Sequence, residues 1–514
     1  MKTLRNQLFL PLNFEAKIDK DDSVWKLVEI CDDLDYTKLY DTYLRHWRKN
    51  DPAILFEIMV FAYMNGIYST RDIEKACKND IRFMWLLQGE EAPDHSTFAR
   101  FQNERLVGVI EELFYQFIEK LYESGEIEFK NIFVDGTKIE ANANRYTFVW
   151  AKSVEKNLHK LNAKINQELL ELCEKYGLSP TVTLQDVVEV LITTKNLFGI
   201  EFVYGRGKRK TELQRDYDRI YDYLERLMGY YRSLDILGLR KSYAKTDIDA
   251  TFMRMKEDHM KNGQLKPAYN IQIGVESEYI VGLGVFSNPT DTTTLIPFLE
   301  RLRENTGRKY KNIVADAGYA SEENYTYLEQ HSQNAYIKPA DYEIRKKHKF
   351  KNNPYRIENL AYDEKGDYFT CPNNKKLVYA YDSKRKSNNG YEVIKANYIC
   401  EGCQGCPYRE ECFKGKYANR KIAFSKTMAR QKAEATQRIT TDEGNILRMN
   451  RSIQVEGAFG VIKQDFAFRR FLTRGKTKTE TQFFLIAFAF NIQKLWNRTN
   501  SGRLNMDLFK KEAA

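Results

Sequence analysis

The sequence predicts a mixed α/β protein with an all-helical N-terminal region and two insertions. Three observations carry that expectation. Apolar residues recur at helical spacing from residue 15 to about 125, and again from about 150 to 240. Short apolar runs of strand character stand between and after these helical stretches, as in "NIFVDGTKIEA" and "NIVADAGYA". From about 350 to 420 the composition changes to alternating, tyrosine-rich runs bracketed by cysteines.

The 514 residues give room for roughly three domains. A hydrophobic content of 42% and an aromatic content of 13% place the chain among globular proteins. It carries 81 Lys+Arg against 71 Asp+Glu, a net +10, which is compatible with a polyanionic partner without identifying one. The opening "MKTLRNQLFLPLNFEAKIDKDD" has a short, Pro-, Asn- and Glu-interrupted apolar stretch, unlike a signal peptide. No apolar run approaches the roughly 18 residues of a membrane span. The expectation is a soluble, cytoplasmic protein with no membrane partner.

Taken in order, "DPAILFEIMVFAYMNGIYSTRDIEKACKNDIRFMWLL" gives an apolar helix, a break near Asn65-Gly66 and shorter amphipathic helices. In "APDHSTFARFQNERL", Asp94 can cap a helix with Arg100 and Arg105 on its exposed side. The pattern reads as a helix-turn-helix or as a small bundle without DNA contact. A strand at 131–141 ends its apolar run at Asp135-Gly136. Two seams follow, one from Val154 to Leu172 and one from Leu213 through Tyr231 to Leu234, as in an antiparallel helical hairpin. Between them, Arg206, Lys208, Arg209 and Lys210 crowd a glycine-containing turn, either a solvated loop or a phosphate-contacting tip. Residues 267–277 and 279–287 read as a β-hairpin, and Asp291 as the N-cap of the next helix. A strand stopping at Asp316, a helix capped by Ser321 and a strand in "NAYIKPADYEI" follow. Asn389-Gly390 marks a hairpin in the tyrosine-rich segment. "RSIQVEGAFGVIKQDFAFRRF" is a helix whose seam is Val455, Phe459, Ile462 and Phe466, and "FFLIAFAF" belongs to a buried final helix at 480–498.

Glu456 stands beside that apolar seam, and Asp135 and Asp316 stand at apolar strands, each next to glycine or alanine. Such carboxylates, if they converge, make an oxygen-only pocket of the kind Mg²⁺ prefers. Two ions about 4 Å apart can activate water and stabilise a leaving oxygen in phosphodiester cleavage. Asp247 and Asp249 remain as further carboxylates outside this set.

The segments "IFVDGTKIEANANR", "KTDIDATFMRMKEDHMKNGQLKPAYNIQIGVE", "NIVADAGYASEENY" and "RSIQVEGAFGVIKQDFAFRRF" resemble the successive blocks of DDE-class bacterial insertion-sequence transposases. The similarity extends through "YSTRDIEKACKNDIRFMWLLQG", "HSTFARF" and the cysteine segment, from about residue 20 to 495. It implies an RNase H-like catalytic domain split by insertions. Asp135 then matches the first carboxylate, Asp316 the second, Glu456 the third, and Lys463 the basic residue after the glutamate. On a continuous α-helix Lys463 would lie about 10 Å from Glu456 on the same face. In related insertion-sequence families a Tyr and an Arg precede the glutamate. Here the Arg is offset, as Arg448 or Arg451, and no Tyr holds the expected place.

Cys31, Cys77 and Cys173 are scattered and read as small buried hydrophobes. Cys403-x2-Cys406-x5-Cys412 with Cys371 upstream has the spacing and ligand type of a structural zinc site, and the resemblance assigns those four. Cys400 is a competing ligand.

The expected architecture is an RNase H-like mixed sheet with helices, plus an all-helical N-terminal domain, a helical-hairpin insertion and a small zinc-binding β insertion. The expected boundaries are 1–125 for the helical DNA-binding domain, 151–239 for the hairpin and 351–419 for the cysteine insertion. The catalytic domain is split over 126–150, 240–350 and 420–498, with a tail at 499–514. The resemblance implies a transposase that binds terminal inverted repeats and uses two Mg²⁺ or Mn²⁺ ions to cleave and join double-stranded DNA. It would act as a homodimer at the transposon ends, in the bacterial cytoplasm near the nucleoid. Lys463, Arg451, Arg100, Arg105 and the 206–210 cluster, with Arg469, Arg470 and Arg474, are the expected DNA contacts. The alternatives are a non-catalytic domesticated DNA-binding descendant and a structure-selective nuclease of the same metal chemistry.

Overall fold

A computed structural model describes residues 15–43, 50–179, 181–255, 263–387, 389–415 and 417–506. The first fourteen residues, on which the signal-peptide reading rests, lie outside the described residues, as do 256–262 of the family-like block and 507–514 of the tail. The chain divides into two compact units, Met1–Glu140 with Tyr269–Ala514, and Ala141–Ala268.

The first unit begins with helices α1 (Ser23–Asp32), α2 (Thr37–Asp41), α3 (Pro52–Met64), α4 (Thr70–Asn79), α5 (Ile81–Leu86), α6 (His95–Arg100) and α7 (Ile110–Glu123). Aspartates start several of them by taking otherwise orphaned backbone N–H groups. Asp22 accepts from Val24 N at 2.9 Å, Asp51 from Ala53 N at 2.9 Å, and Asp94 from Ser96 N at 2.7 Å. Helix α3 is apolar on every side because every side is covered, from Leu55 through Met64. Strand β1 (Asn131–Glu140) then enters the sheet.

The second unit holds β2 (Phe148–Trp150), α8 (Ala151–Tyr176), α9 (Leu184–Leu197), α10 (Glu212–Leu237), β3 (Ser242–Ala244) and β4 (Thr251–Arg254). Its core joins Leu161, Ile165 and Leu172 of α8, Val187, Val188 and Leu191 of α9, and Leu213 and Ile220 of α10. The two-seam hairpin expectation is therefore corrected to three packed helices. Tyr231 drops out of the second seam at 55% exposure, while Leu234 packs with Val154 and Leu237 as the seam continues. Asp247 and Asp249 lie in the turn between β3 and β4.

The first unit resumes along β5 (Leu265–Glu276), which forms the expected hairpin with β6 (Tyr279–Phe286). Next come α11 (Leu295–Thr306), β7 (Asn312–Ala315), α12 (Glu322–Gln330), β8 (Asn334–Ile337), α13 (Tyr342–Lys346) and α14 (His348–Lys351). Within this unit the sheet order is β5-β1-β7-β8, with β6 also on β5. β1, β7 and β8 run parallel, and the β5–β6 pairing is antiparallel. This mixed sheet is consistent with the RNase H-like fold that the resemblance implies.

The cysteine segment is a five-stranded antiparallel sheet of β9 (Ala361–Asp363), β10 (Tyr368–Thr370), β11 (Lys376–Lys386), β12 (Glu392–Cys400) and β13 (Lys421–Phe424), with α15 (Arg409–Cys412). Asn389-Gly390 joins β11 to β12, and Gly390 takes the left-handed φ of 89° that a tight hairpin turn demands. Helices α16 (Lys426–Thr440), α17 (Asp442–Gly460) and α18 (Lys476–Asn500) complete the chain. α17 starts nine residues before the quoted "RSIQVEG" motif, capped by Thr441, whose Oγ1 accepts from Gly444 N at 3.0 Å. α18 buries all of Phe483–Phe490. Phe488 meets Phe56 at 5.2 Å and Phe114 at 5.5 Å, while Asn491 exchanges two 2.8 Å hydrogen bonds with the backbone of Ile280 in β6.

Candidate active site

Parallel register brings two carboxylates side by side. Val134 of β1 pairs with Ala315 of β7, so Asp135 and Asp316 are the next residues on neighbouring strands. β7 stops there, whereas β1 continues through Asp135 to Glu140, so only Asp316 lies at a strand end. Each aspartate is fixed by a local backbone donor. Gly136 N donates to Asp135 Oδ1 at 2.7 Å, and Gly318 N to Asp316 Oδ1 at 2.7 Å. Helix α17 packs across β1 and β7, burying Val455, Ala458 and Phe459. Glu456, beside that seam, keeps its side chain 60% exposed.

Arg451, one turn before Glu456, reaches between the carboxylates. Its Nη1 is 3.1 Å from Asp135 Oδ2 and its Nη2 is 3.7 Å from Glu456 Oε1. A side-chain cation thus already bridges the first and third carboxylates. The three carboxylates do not close into a cluster with all oxygens within 4.8 Å. Among the described residues the one trio of His, Cys, Asp or Glu that does is Glu74, Asp94 and His95, whose contacts tie α4 to the start of α6.

Asp291 lies beside the glycines that follow Asp135 and Asp316, and the N-cap reading of it is corrected. α11 starts at Leu295 with Thr294 in the N-cap position, and Asp291 opens a short 3₁₀ turn before it. Its Oδ1 accepts from Asn270 Nδ2 at 2.7 Å and from Gln272 Nε2 at 2.9 Å. Gln272 also donates to Asn270 Oδ1 at 3.1 Å and accepts from the Tyr319 hydroxyl. Asn270, Gln272 and Tyr319 are all buried. Two glycines leave room for the group. A Cβ on Gly136 would stand 2.2 Å from Gln272 Nε2 and 2.8 Å from Asp291 Oδ1, and one on Gly318 would stand 2.9 Å from Asp316 Oδ1. Burial, then Asp291, Asp135 and Asp316 in that order, push the Tyr319 phenol well up, against Arg451.

The expected basic contacts are spread out. Arg451 pairs with the carboxylates, and with Arg448, Lys338 and Asp316 it lines a groove of about 510 Å³. Lys463 is half-buried in a π-helical turn, Val461–Asp465, so the continuous α-geometry expected between it and Glu456 does not hold. Arg469, Arg470 and Arg474 are exposed just beyond, with Arg469 Nε donating to Lys463 O at 3.3 Å. Arg100 is exposed, but Arg105 is turned inward. It donates to Thr42 O and lies over the Tyr43 ring at 4.7 Å, which corrects its expected exposure. Arg206, Lys208, Arg209 and Lys210 are exposed in the second unit, Lys210 with Asp218 at 2.6 Å.

At the base of the five-stranded sheet, Cys371, Cys400 and Cys403 are buried and Cys406 and Cys412 half-buried. N–H groups point at three of the sulfurs. Arg420 N reaches Cys403 Sγ at 3.3 Å, Arg420 Nη1 reaches Cys412 Sγ at 3.1 Å, and Asn373 Nδ2 reaches Cys406 Sγ at 3.5 Å. Burial, then Cys403 and Cys371 as neighbours, push the Cys400 thiol up. No three of these sulfurs lie within 4.8 Å of one another.

Among the described residues no helix is long and apolar enough to cross a membrane. Comparison with known families gives two matches. Residues 12–104 match a transposase domain (DUF772), and residues 370–496 match a transposase DDE domain. The second match contains Glu456 and the five clustered cysteines, while Asp135 and Asp316 lie between the two. No curated protein and no solved structure matches the chain. Two transposase family models, matched in order on the helical region and on the segment carrying the glutamate helix, support an insertion-sequence DDE transposase.

Proposed function

We propose that the chain binds the terminal inverted repeats of its element and cuts and joins DNA through Asp135, Asp316 and Glu456. The observation that carries this reading is the register of β1 on β7, which sets two carboxylates side by side beneath the helix bearing the third. The donor set is oxygen-only, and the Arg451 guanidinium between Asp135 and Glu456 is evidence that this pocket favours positive charge. Mg²⁺ or Mn²⁺, two ions in the reading, would be held by these three residues and would supply Lewis-acid stabilisation and an activated water. In the first step a water oxygen attacks the phosphorus at the transposon end and the P–O3′ bond breaks, freeing a 3′-hydroxyl. That hydroxyl then attacks a target phosphodiester, forming one P–O bond as another breaks. Arg448, Arg451 and Lys338 line the groove beside Asp316 and would hold the flanking phosphates. Lys463, Arg469, Arg470 and Arg474 would extend that contact, Arg100 and the 206–210 loop would hold outlying DNA, and a homodimer would pair the two ends.

The cysteines are proposed to hold a structural zinc through Cys371, Cys403, Cys406 and Cys412, with Cys400 competing. N–H donors on three of those sulfurs favour thiolates.

The function is tested with repeat-end DNA in Mg²⁺ or Mn²⁺. Asp135→Asn should lose cutting by a factor of about 10³ or more while retaining DNA binding. A variant that cuts as well as the parent removes the site assignment. Supplying pre-cleaved ends separates a transposase, which joins them to target, from a nuclease, which does not.

A further inference from the structure

We propose that Asp291 is a fourth carboxylate of this site, supplying an oxygen to the divalent cation that Asp135 and Asp316 bind. The inference rests on the reading of those two residues as ion ligands and adds a residue that the three-carboxylate scheme leaves out.

Its geometry carries it. Both amide donors, from Asn270 and Gln272, end on Asp291 Oδ1. They come from β5, the strand that flanks β1 on the side away from β7. The buried chain is directed, with the Tyr319 hydroxyl donating to Gln272 Oε1 and Gln272 Nε2 donating onward. Asn270 and Gln272 each donate to Oδ1, so Asp291 is held as an acceptor through one oxygen. Its other oxygen, Oδ2, faces Gly318. Asp291 Oδ2 and Asp316 Oδ1 lie 3.5 Å and 2.9 Å from the single point where a Gly318 Cβ would stand. The 3₁₀ turn is tied to the Asp316 turn as well, since Thr292 Oγ1 donates to Gly318 O at 3.0 Å and Asn324 Nδ2 bonds both Thr292 O and Tyr319 O.

Charge points the same way. Neutral amides hold Asp291, and among the described residues no Lys or Arg pairs with it. Arg451 sits instead on Asp135. Burial apart, the Tyr319 phenol feels Asp291 most, then Asp135 and Asp316, against the Arg451 guanidinium, so the carboxylates act on one another through the same partly buried place. Like charges so placed repel unless a cation joins them. A helix-capping aspartate needs none of this apparatus, and Asp291 caps no α-helix.

The experiment measures Mn²⁺ binding to the full chain by calorimetry, without DNA, alongside metal-free thermal melting. Asp291→Asn keeps an oxygen for Asn270 and Gln272 and puts an amide nitrogen where Oδ2 stood. The expected result is an unchanged melting temperature with Mn²⁺ affinity weakened about tenfold or more. An Asp291→Asn variant that binds Mn²⁺ as tightly as the parent, while Asp135→Asn does not, overturns this inference alone. If Asp135→Asn also binds like the parent, the underlying site reading fails. Asp291→Cys provides a second measurement. A thiolate ligand should raise the preference for Cd²⁺ over Mn²⁺ about tenfold, which a purely structural side chain would not do. An unchanged Cd²⁺/Mn²⁺ ratio counts against the proposal even if Asp291→Asn fails to fold.

Discussion

Glu57 is a carboxylate enclosed by apolar residues of α3, 6% exposed. Burial first, then Asp32 and Asp51, push its carboxyl up to about 7 from an ordinary 4.5. Between those values the folded chain holds a proton that the unfolded chain releases. The associated stability is fully present below about pH 4.5 and is lost as pH rises through about 7. Glu57→Gln should therefore exceed the parent in stability at pH 8 by about 1–3 kcal/mol and match it more closely at pH 5. Urea unfolding at both pH values checks this, and a difference that ignores pH removes it. Single residues differed in how far the sequence revealed them. Asp135 and Asp316 stood out because each interrupts an apolar strand next to glycine or alanine. Asp291 did not, because "NPTDTTT" carries an ordinary capping pattern. Its partners, Asn270 and Gln272, are about twenty residues away on a strand whose alternation discloses burial and not function.

At the scale of elements, period and turn chemistry were readable where one face is buried. The β5–β6 hairpin, the Asn389-Gly390 turn and α18 all follow from such signals. Helix α9 was blurred because Val187, Val188, Val190, Ile192, Thr193 and Thr194 are β-branched and weak helix formers, and packing against α10 decides its form. The π turn at 461–465 was not readable, since Val-Ile-Lys-Gln-Asp continues a helical pattern without Pro or Gly. The cysteine sheet yields the next prediction. A tetrahedral Zn–S site brings sulfurs to about 3.8 Å of one another, closer than any three stand here, so an ion would draw the base of the sheet together. The purified chain should carry about one zinc, as elemental analysis would read. Cys403→Ser and Cys412→Ser should lose it and Cys400→Ser should keep it. Retention by Cys371→Ser with loss by Cys400→Ser would exchange those two ligands, and a zinc-free chain would end the assignment.

At the scale of the whole molecule, α18 explains why residues some four hundred positions apart behave as one body. One side of it packs on α3 and α7 through Phe488, and another side holds the β6 backbone through Asn491. The N-terminal helices and the β6 side of the sheet therefore share a core, whereas the three helices of residues 141–268 have their own. Cooperative unfolding follows shared cores, so the chain should melt in two steps, one for each unit. Phe488 contacts Phe56, Phe114 and Phe117 at ring distances of 5.2, 5.5 and 5.9 Å, and truncating it leaves a cavity at the centre of the larger core. Phe488→Ala should cost the larger unit about 3–5 kcal/mol while leaving the 141–268 transition where it was. Differential scanning calorimetry, with hydrogen exchange to assign each step, makes the comparison. If both transitions shift together, the helical insertion draws its stability from the larger unit, and its independent core is not enough to hold it.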